Sequence, residues 1–88
     1  MVMEIIHDKQ NNRFYTEVQG YTAYVGYEIW GDILNIVTTQ VPKPLSGQGI
    51  AAALVKATYD YAAKEGLKPA ATCSYAVAWL ARHTKHTL

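Results

Sequence analysis

The chain has 88 residues, half of them hydrophobic, with a formal net charge of +1 and a single cysteine, Cys73. That length predicts one domain over residues 1–88, with a core able to fold alone and little room for a second site. A charge this small excludes a general nucleic-acid footprint, and apolar runs broken by Asn, Thr, Lys or Asp are too short to cross a bilayer.

The N-terminus, MVMEIIHDKQ, has no basic flank and no long apolar stretch, so no signal peptide is expected. One cysteine cannot form an internal disulfide, which fits a reducing, cytoplasmic setting. The charge is unevenly spread. Residues 1–44 carry three Lys/Arg against five Asp/Glu, and residues 45–88 carry five against two, so the second half is mildly basic.

In chain order, Val2–His7 is a short apolar run that ends in a polar turn at Asp8–Asn12. Arg13–Gln19 alternates, with Phe14, Thr16 and Val18 on one face and Tyr15 and Glu17 on the other. Gly20 marks a hairpin into Tyr21–Trp30, where Ala23, Val25, Tyr27 and Ile29 share a face. Gly31–Asp32 turns the chain into the β-branched run Ile33–Val41, which Pro42 and Pro44 stop. The period then changes. From Gln48 to Glu65, Ile50, Leu54, Ala57 and Tyr61 recur at three- and four-residue steps, opposite Lys56, Asp60 and Lys64, which predicts an amphipathic helix. Gly66 fits the helix C′ position. Lys68–Cys73 is short and extended, and after a crossover helix it should pair in parallel, closing a right-handed β-α-β unit. Ser74 is placed to cap a last helix through Trp79 to about His83, and Thr84–Leu88 reads as a frayed tail. The order is β-β-β-β-α-β-α.

The stretch PLSGQGIAAAL, residues 44–54, sets two glycines at the strand-to-helix junction. A helix N-terminus exposes unpaired N–H groups and the positive end of its dipole, and glycine lets an anion come close. The alternative is a plain turn that binds nothing, since glycine is also the default turn former. A P-loop is excluded because no lysine follows Gly47 or Gly49 at the required place. Gly47-x-Gly49-x-x-Ala52 matches the dinucleotide fingerprint locally. The following strand supplies no acidic residue for a ribose, however, and one β-α-β unit cannot supply the usual halves.

Ser46-Gly47-Gln48-Gly49-Ile50-Ala51 also fits, at Gly49 and Ala51, the acyl-CoA loop of the GNAT N-acetyltransferases: Gln or Arg, two residues, Gly, one residue, then Gly or Ala. With the flanks TTQVPKPLSGQGIAAALV and CSYAVAWLARH, nearly the whole chain resembles small stand-alone GNAT-like proteins of the YjdJ type. Thr39, Val41, Pro42, Cys73 and Ser74 carry that resemblance. Thr38 stands where such proteins commonly have histidine, and Ser46 where they commonly have arginine, which removes a positive charge from the loop.

The resemblance implies a GNAT-like α+β fold, a mostly antiparallel sheet with one parallel β-α-β unit. It implies acetyl-CoA as cosubstrate, an amine acceptor of unknown identity, and no metal. The N–H groups of Gly47, Gln48, Gly49, Ile50 and Ala51 would cradle the diphosphate. Thr39–Val41 would splay from Lys68–Cys73 to admit the pantetheine arm, with main chain near Val41 pairing its amides. A backbone N–H there would also polarise the thioester carbonyl. Cys73, at the strand end, is the candidate nucleophile, its thiol activated by the following helix N-terminus. The alternative is a packed core cysteine.

Tyr75 is a second candidate, as the acid that protonates the leaving thiolate, although a tyrosine at a helix start often only packs. His83 and His86 are possible bases or simply solvated, and His7 has no evident partner. Trp30 and Trp79 read as core or cleft wall. The tyrosines of Tyr21–Tyr27 fall at mixed spacings, and the strand order is not that of a nucleic-acid-binding sheet. The expected activity is acetyl transfer from acetyl-CoA to an amine. The alternative is a CoA-binding or acyl-CoA-binding module without turnover. No membrane partner is expected, and the chain is a monomer or, through exposed strand edges, a homodimer.

Overall fold

The computed structural model describes residues 4–84, the side chain of Thr84 excepted. Its strands are β1 (Ile6–Asp8), β2 (Arg13–Val18), β3 (Tyr21–Trp30), β4 (Ile33–Gln40) and β5 (Lys68–Ala71). Its helices are α1 (Ile50–Lys64) and α2 (Ser74–Thr84), and short 3-10 turns span Lys9–Asn11 and Lys43–Leu45. The strands lie in the order β1-β2-β3-β4-β5, antiparallel up to β4 and parallel between β4 and β5. The predicted element order and sheet type are therefore those observed. Met1–Met3 and Lys85–Leu88 lie outside the described residues, and with them the start of the first predicted strand, His86 and most of the predicted frayed tail.

Local chemistry explains the turns. Gln19 and Gly20 both have positive φ, 53° and 80°, as a two-residue hairpin needs if its twist is to match that of the flanking strands. At the end of α1, Gly66 has φ +73°, and Leu67 N–H reaches back to the Ala62 carbonyl at 2.7 Å, closing a Schellman-type stop. β5 is an edge strand. Lys68 donates its N–H to Asp32 of the β3–β4 turn, so the next residue, Pro69, falls where the free edge would otherwise present a donor.

One face of the sheet packs on α1. Phe14 and Thr16 from β2, Ala23, Val25 and Tyr27 from β3, and Leu34 and Ile36 from β4 are buried there. The inward alternation predicted for β2 and β3 holds except at its end: Ile29 is 41% exposed, and Trp30, expected in the core or a cleft wall, is 59% exposed. Both sit at the β3–β4 hairpin, where the strand outruns its cover. The buried stripe of α1 is Ile50, Leu54, Val55, Thr58, Tyr59 and Ala62, with Ala57 and Tyr61 only half buried. The stripe is rotated from the predicted one because Thr58 faces inward. Its hydroxyl donates to the Leu54 carbonyl at 2.8 Å, so no polar group is stranded.

His7 does have a partner. Its Nε2 lies 2.6 Å from the Tyr27 hydroxyl, and its ring stacks on Phe14 at 4.0 Å between centroids. Tyr61 meets it edge-on at 4.4 Å. Burial, then the nearby Lys9 charge, hold the imidazole below its usual pKa of 6.5, with Asp8 opposing. The unfolded chain therefore takes up this proton first as pH falls. Stability contributed by neutral His7 is present above pH 6.5 and is lost progressively as pH drops below it towards the folded-state value. Urea midpoints measured between pH 7.5 and 5 should fall, and His7→Phe should flatten that part of the curve. An unchanged slope in the variant would remove His7 from the account.

Candidate functional site

The site is built where β4 and β5 part. Their parallel pairing runs from Ile33↔Lys68 to Ile36↔Ala71 and stops. The Ile36 carbonyl then accepts the N–H groups of both Thr72 (3.0 Å) and Cys73 (3.3 Å), and beyond it Thr38, Thr39 and Gln40 pair with β3 alone. On the β3 side the register jumps from Gly26↔Thr38 to Tyr27↔Ile36, so Val37 is an extra residue in β4. A bulge of this kind re-aims side chains and bends the strand. The predicted strand Lys68–Cys73 thus ends two residues early, because both of its last amides are drawn to one carbonyl.

After β4 the chain makes the Lys43–Leu45 turn, and Leu45, fully buried, pins the start of the loop to the core. Gly47 and Gly49 follow with φ of +81° and +77°. A Cβ at either would meet nothing within 4 Å, so it is backbone handedness, not crowding by the protein, that calls for glycine. Gly49 caps α1, which starts at Ile50 and not at the predicted Gln48 because a left-handed residue cannot continue a helix.

The first helical bond here is from Ala53 N–H to the Gly49 carbonyl at 3.1 Å. The N–H groups of Gly47, Gln48 and Gly49, and those of Ile50, Ala51 and Ala52 in the first turn, find no acceptor among the described residues. The Gln48 side chain folds back, its amide donating to the Pro44 carbonyl at 3.4 Å, and leaves these donors uncovered.

All of them but that of Gln48 belong to residues lining an open cavity of about 340 Å³, whose wall includes Val41, Ser46, Gly47, Gly49, Ile50 and Ala51; Thr39 and Cys73 are not on that wall. Tyr75, in the first turn of α2, closes the opposite side. The N-termini of both helices therefore flank one space. Neither has an acidic residue in its first turn to offset the dipole. The arrangement favours an anion.

Cys73, rather than the predicted Ser74, precedes the first turn of α2 in the capping position, since its carbonyl accepts Val77 N–H at 2.9 Å. Its Sγ lies 3.4 Å from Thr39 Oγ1, joining the end of β5 to β4 across the split. Burial pushes the thiol pKa up. Hydrogen bonds from the Thr39 hydroxyl and from the N–H groups of Ala76, Tyr75 and Thr39 outweigh it, and the net shift is below the ordinary thiol value of 9.0. Cys73 is half-buried, neither sealed in the core nor free in solvent.

The other candidates fall away from this centre. Tyr59 was not singled out by the sequence, yet it lies within electrostatic reach of Cys73. Burial, then that thiol, push its phenol pKa up, and its hydroxyl donates to the Ala70 carbonyl at 2.6 Å, so it stays a neutral structural donor. Trp79 packs between Tyr59 and His83 instead of lining the cavity. His83 donates Nδ1–H to the Trp79 carbonyl at 2.8 Å and is exposed. His7 packs on Tyr61, eleven residues down α1 from Ile50, roughly 16 Å of helix from the loop. Among the described residues, no group of His, Cys, Asp and Glu side chains could hold a metal ion, and no helix is long and apolar enough to cross a membrane.

Comparison with known proteins identifies the family. Residues 13–87 match the family model described as GCN5-related N-acetyl-transferase. The chain belongs to the GCN5-related N-acetyltransferase family. Mouse Protein NATD1 is 36% identical over 76 residues, covering 83% of this chain and 69% of that protein, and human Protein NATD1 is 34% identical with 83% and 67% covered. The solution structure of a GCN5-like protein from Staphylococcus aureus superposes with a TM-score of 0.74 at 30% identity, covering 96% of this chain and 83% of that one. As a GCN5-related N-acetyltransferase, the chain has the family's fold, and the family implies acetyl-CoA as cosubstrate. The uncovered amides and the cavity beside them fit the anionic part of such a molecule.

Proposed function

We infer that this protein binds acetyl-CoA at the Gly47–Ala52 amides and transfers the acetyl group to an amine, with Cys73 carrying it between the two. The finer likeness to the YjdJ-type proteins, carried by Thr39, Val41, Pro42, Cys73 and Ser74, belongs to this reading. The observation that carries it is the row of unbonded N–H groups from Gly47 to Ala52, all but that of Gln48 from residues lining one cavity; Tyr75 lines the same cavity, and Cys73 stands two residues before it at the cap of α2, tied to β4 through Thr39.

The loop amides and two helix N-termini hold the diphosphate. Val41 and the parted edge of β4 take the pantetheine arm. The Cys73 thiolate attacks the thioester carbonyl, forming a C–Sγ bond as the bond to the coenzyme sulfur breaks, and the coenzyme leaves as a thiolate. An amine then attacks the Cys73 thioester. A C–N bond forms, the C–Sγ bond breaks, the thiolate returns, and the proton lost by the amine goes to the departed thiolate through solvent. Exchange between two thioesters is close to isoenergetic, so the first step needs little beyond a thiolate in position. In this reading Tyr75, which lines the cavity, holds the coenzyme sulfur as it leaves.

Ser46, on the cavity wall, donates to the Lys43 carbonyl at 2.9 Å and adds no charge to the site, so the coenzyme is held mainly by main chain. Thermal denaturation with coenzyme A tests this reading. At about 100-fold the dissociation constant, binding adds roughly 2.7 kcal/mol of stability. Absence of any shift up to millimolar coenzyme would leave the scaffold without its ligand and end the proposal.

A further inference from the structure

On the sheet face turned away from α1, Gly26 is ringed by four side chains from three strands. Arg13 pairs with it on β2 and Thr38 on β4, while Tyr24 and Glu28 lie two residues away along β3. Glycine is needed there. A Cβ would come within 2.9 Å of Thr38 Cγ2, so only its absence lets Thr38 lay its methyl over the strand. The Thr38 hydroxyl has no partner among the described residues.

Arg13 has two diagonal neighbours on β3, an aromatic ring and a carboxylate. Its guanidinium lies over Tyr24, 5.1 Å from the ring centroid. The close ion pairs among the described residues are Lys56–Asp60 and Lys68–Asp32, so Arg13 is in contact with neither Glu28 nor Asp8, although its charge, after the Asn11 hydrogen bonds, helps to hold the Asp8 carboxyl below its ordinary pKa. Asp8, its partner across β1, gives its oxygens to Asn11. A guanidinium laid on a ring keeps its N–H edge free for a bidentate carboxylate. Tyr24 pairs with Gln40, so Arg13 leans towards the end of β4 where the glycine loop begins.

That end of β4 is reached from both faces, because β5 no longer covers its edge beyond Ile36. Thr39 meets Cys73 on one side, and Thr38 stands beside Gly26 on the other. β2 and β4 are two strand spacings apart, about 9.6 Å, and the Arg13 side chain spans part of it. A molecule held at Arg13 and reacting at the split therefore has its two ends several bonds apart.

We propose that this patch is the acceptor subsite, and that the acceptor is a primary amine with a carboxylate several bonds away, the carboxylate on Arg13 and the amine passing Thr38 to the acetyl group. This rests on the transfer reading above. The amine forms the C–N bond as the C–Sγ bond to Cys73 breaks and gives up one proton, so Arg13 takes no part in the chemistry and acts as a positioning residue.

The test is initial-rate kinetics with acetyl-CoA and matched straight-chain acceptors: glycine, β-alanine, 4-aminobutyrate and 6-aminohexanoate, against alkylamines of the same lengths. The longer amino acids should have KM values about 10-fold below their alkylamine counterparts, as one charge-assisted contact supplies. Arg13→Gln should raise their KM to the alkylamine level with kcat and the alkylamine KM little changed, and Arg13→Lys should restore part of the difference. Equal KM values for both series in the wild type, or a loss in Arg13→Gln that falls on both alike, would overturn the proposal. Acetylated Cys73 with no member of either series acetylated would overturn it and leave the coenzyme reading standing. No coenzyme binding at all would remove both.

Discussion

After incubation with acetyl-CoA, intact-mass measurement should show one acetyl group on the wild-type protein and none on Cys73→Ala. Removing a covalent nucleophile typically costs orders of magnitude in turnover, so amine acetylation by the variant should fall about 100-fold or more. The chain has no other cysteine to take the group over. The supporting geometry adds a second reading of the same step. Thr39 Oγ1 lies 3.4 Å from Sγ and helps to lower the thiol pKa. Thr39→Val keeps the shape and deletes the hydroxyl, so the pH at which adduct formation levels off should move up towards the ordinary thiol value. Coenzyme binding should be unaffected in Cys73→Ala, because the donors that hold the diphosphate lie elsewhere. Acetyl transfer at the wild-type rate in Cys73→Ala would show direct attack by the amine and reduce Cys73 to a helix cap.

Gly49→Asp should weaken coenzyme A binding by about 100-fold or more, since a carboxylate about 4 Å from the diphosphate opposes each of its charges by about 4 kcal/mol at the effective dielectric of a protein surface. The side chain enters open space, as nothing lies within 4 Å of the position of its Cβ, so the fold has no clash to relieve. The residue must still adopt φ +77°, which costs about 1–2 kcal/mol of stability for a residue with a side chain. Gly49→Ala bears that same backbone cost without the charge and should lose far less affinity. Calorimetry on both variants separates the two effects. A folded Gly49→Asp protein that binds coenzyme A within about threefold of wild type would place the diphosphate somewhere else.

Much of this fold was legible because its strands are one-sided. Phe14, Thr16, Ala23 and Val25 alternate with outward residues, and a period of two has only one register that buries them all. The hairpin at Gln19–Gly20 and the stop at Gly66 follow from backbone handedness, which glycine announces. The helix stripe was less legible. Thr58 and Tyr59 stand outside the predicted stripe, and they are buried with their hydroxyls satisfied because one bonds its own helix and the other reaches a strand carbonyl.

The site was legible only in part. The glycine loop stands in one stretch of chain, and its free amides follow from any helix start. Cys73 and Thr39 are 34 residues apart, and His7 and Tyr27 are 20 apart. No period links such pairs, since each is made by strand order and register. The Arg13–Tyr24 plate is the same kind of feature, a diagonal contact that exists only once β2 and β3 are aligned.

The most direct measurement is an amide-resolved NMR titration of the protein with coenzyme A and, separately, with pantetheine, which lacks the diphosphate. The account predicts that coenzyme A moves the N–H resonances of Gly47 through Ala52 strongly, and that pantetheine leaves them nearly still while shifting residues along the parted edge of β4. If those six resonances stay in place as coenzyme A saturates the protein, the loop holds no diphosphate and the account is wrong.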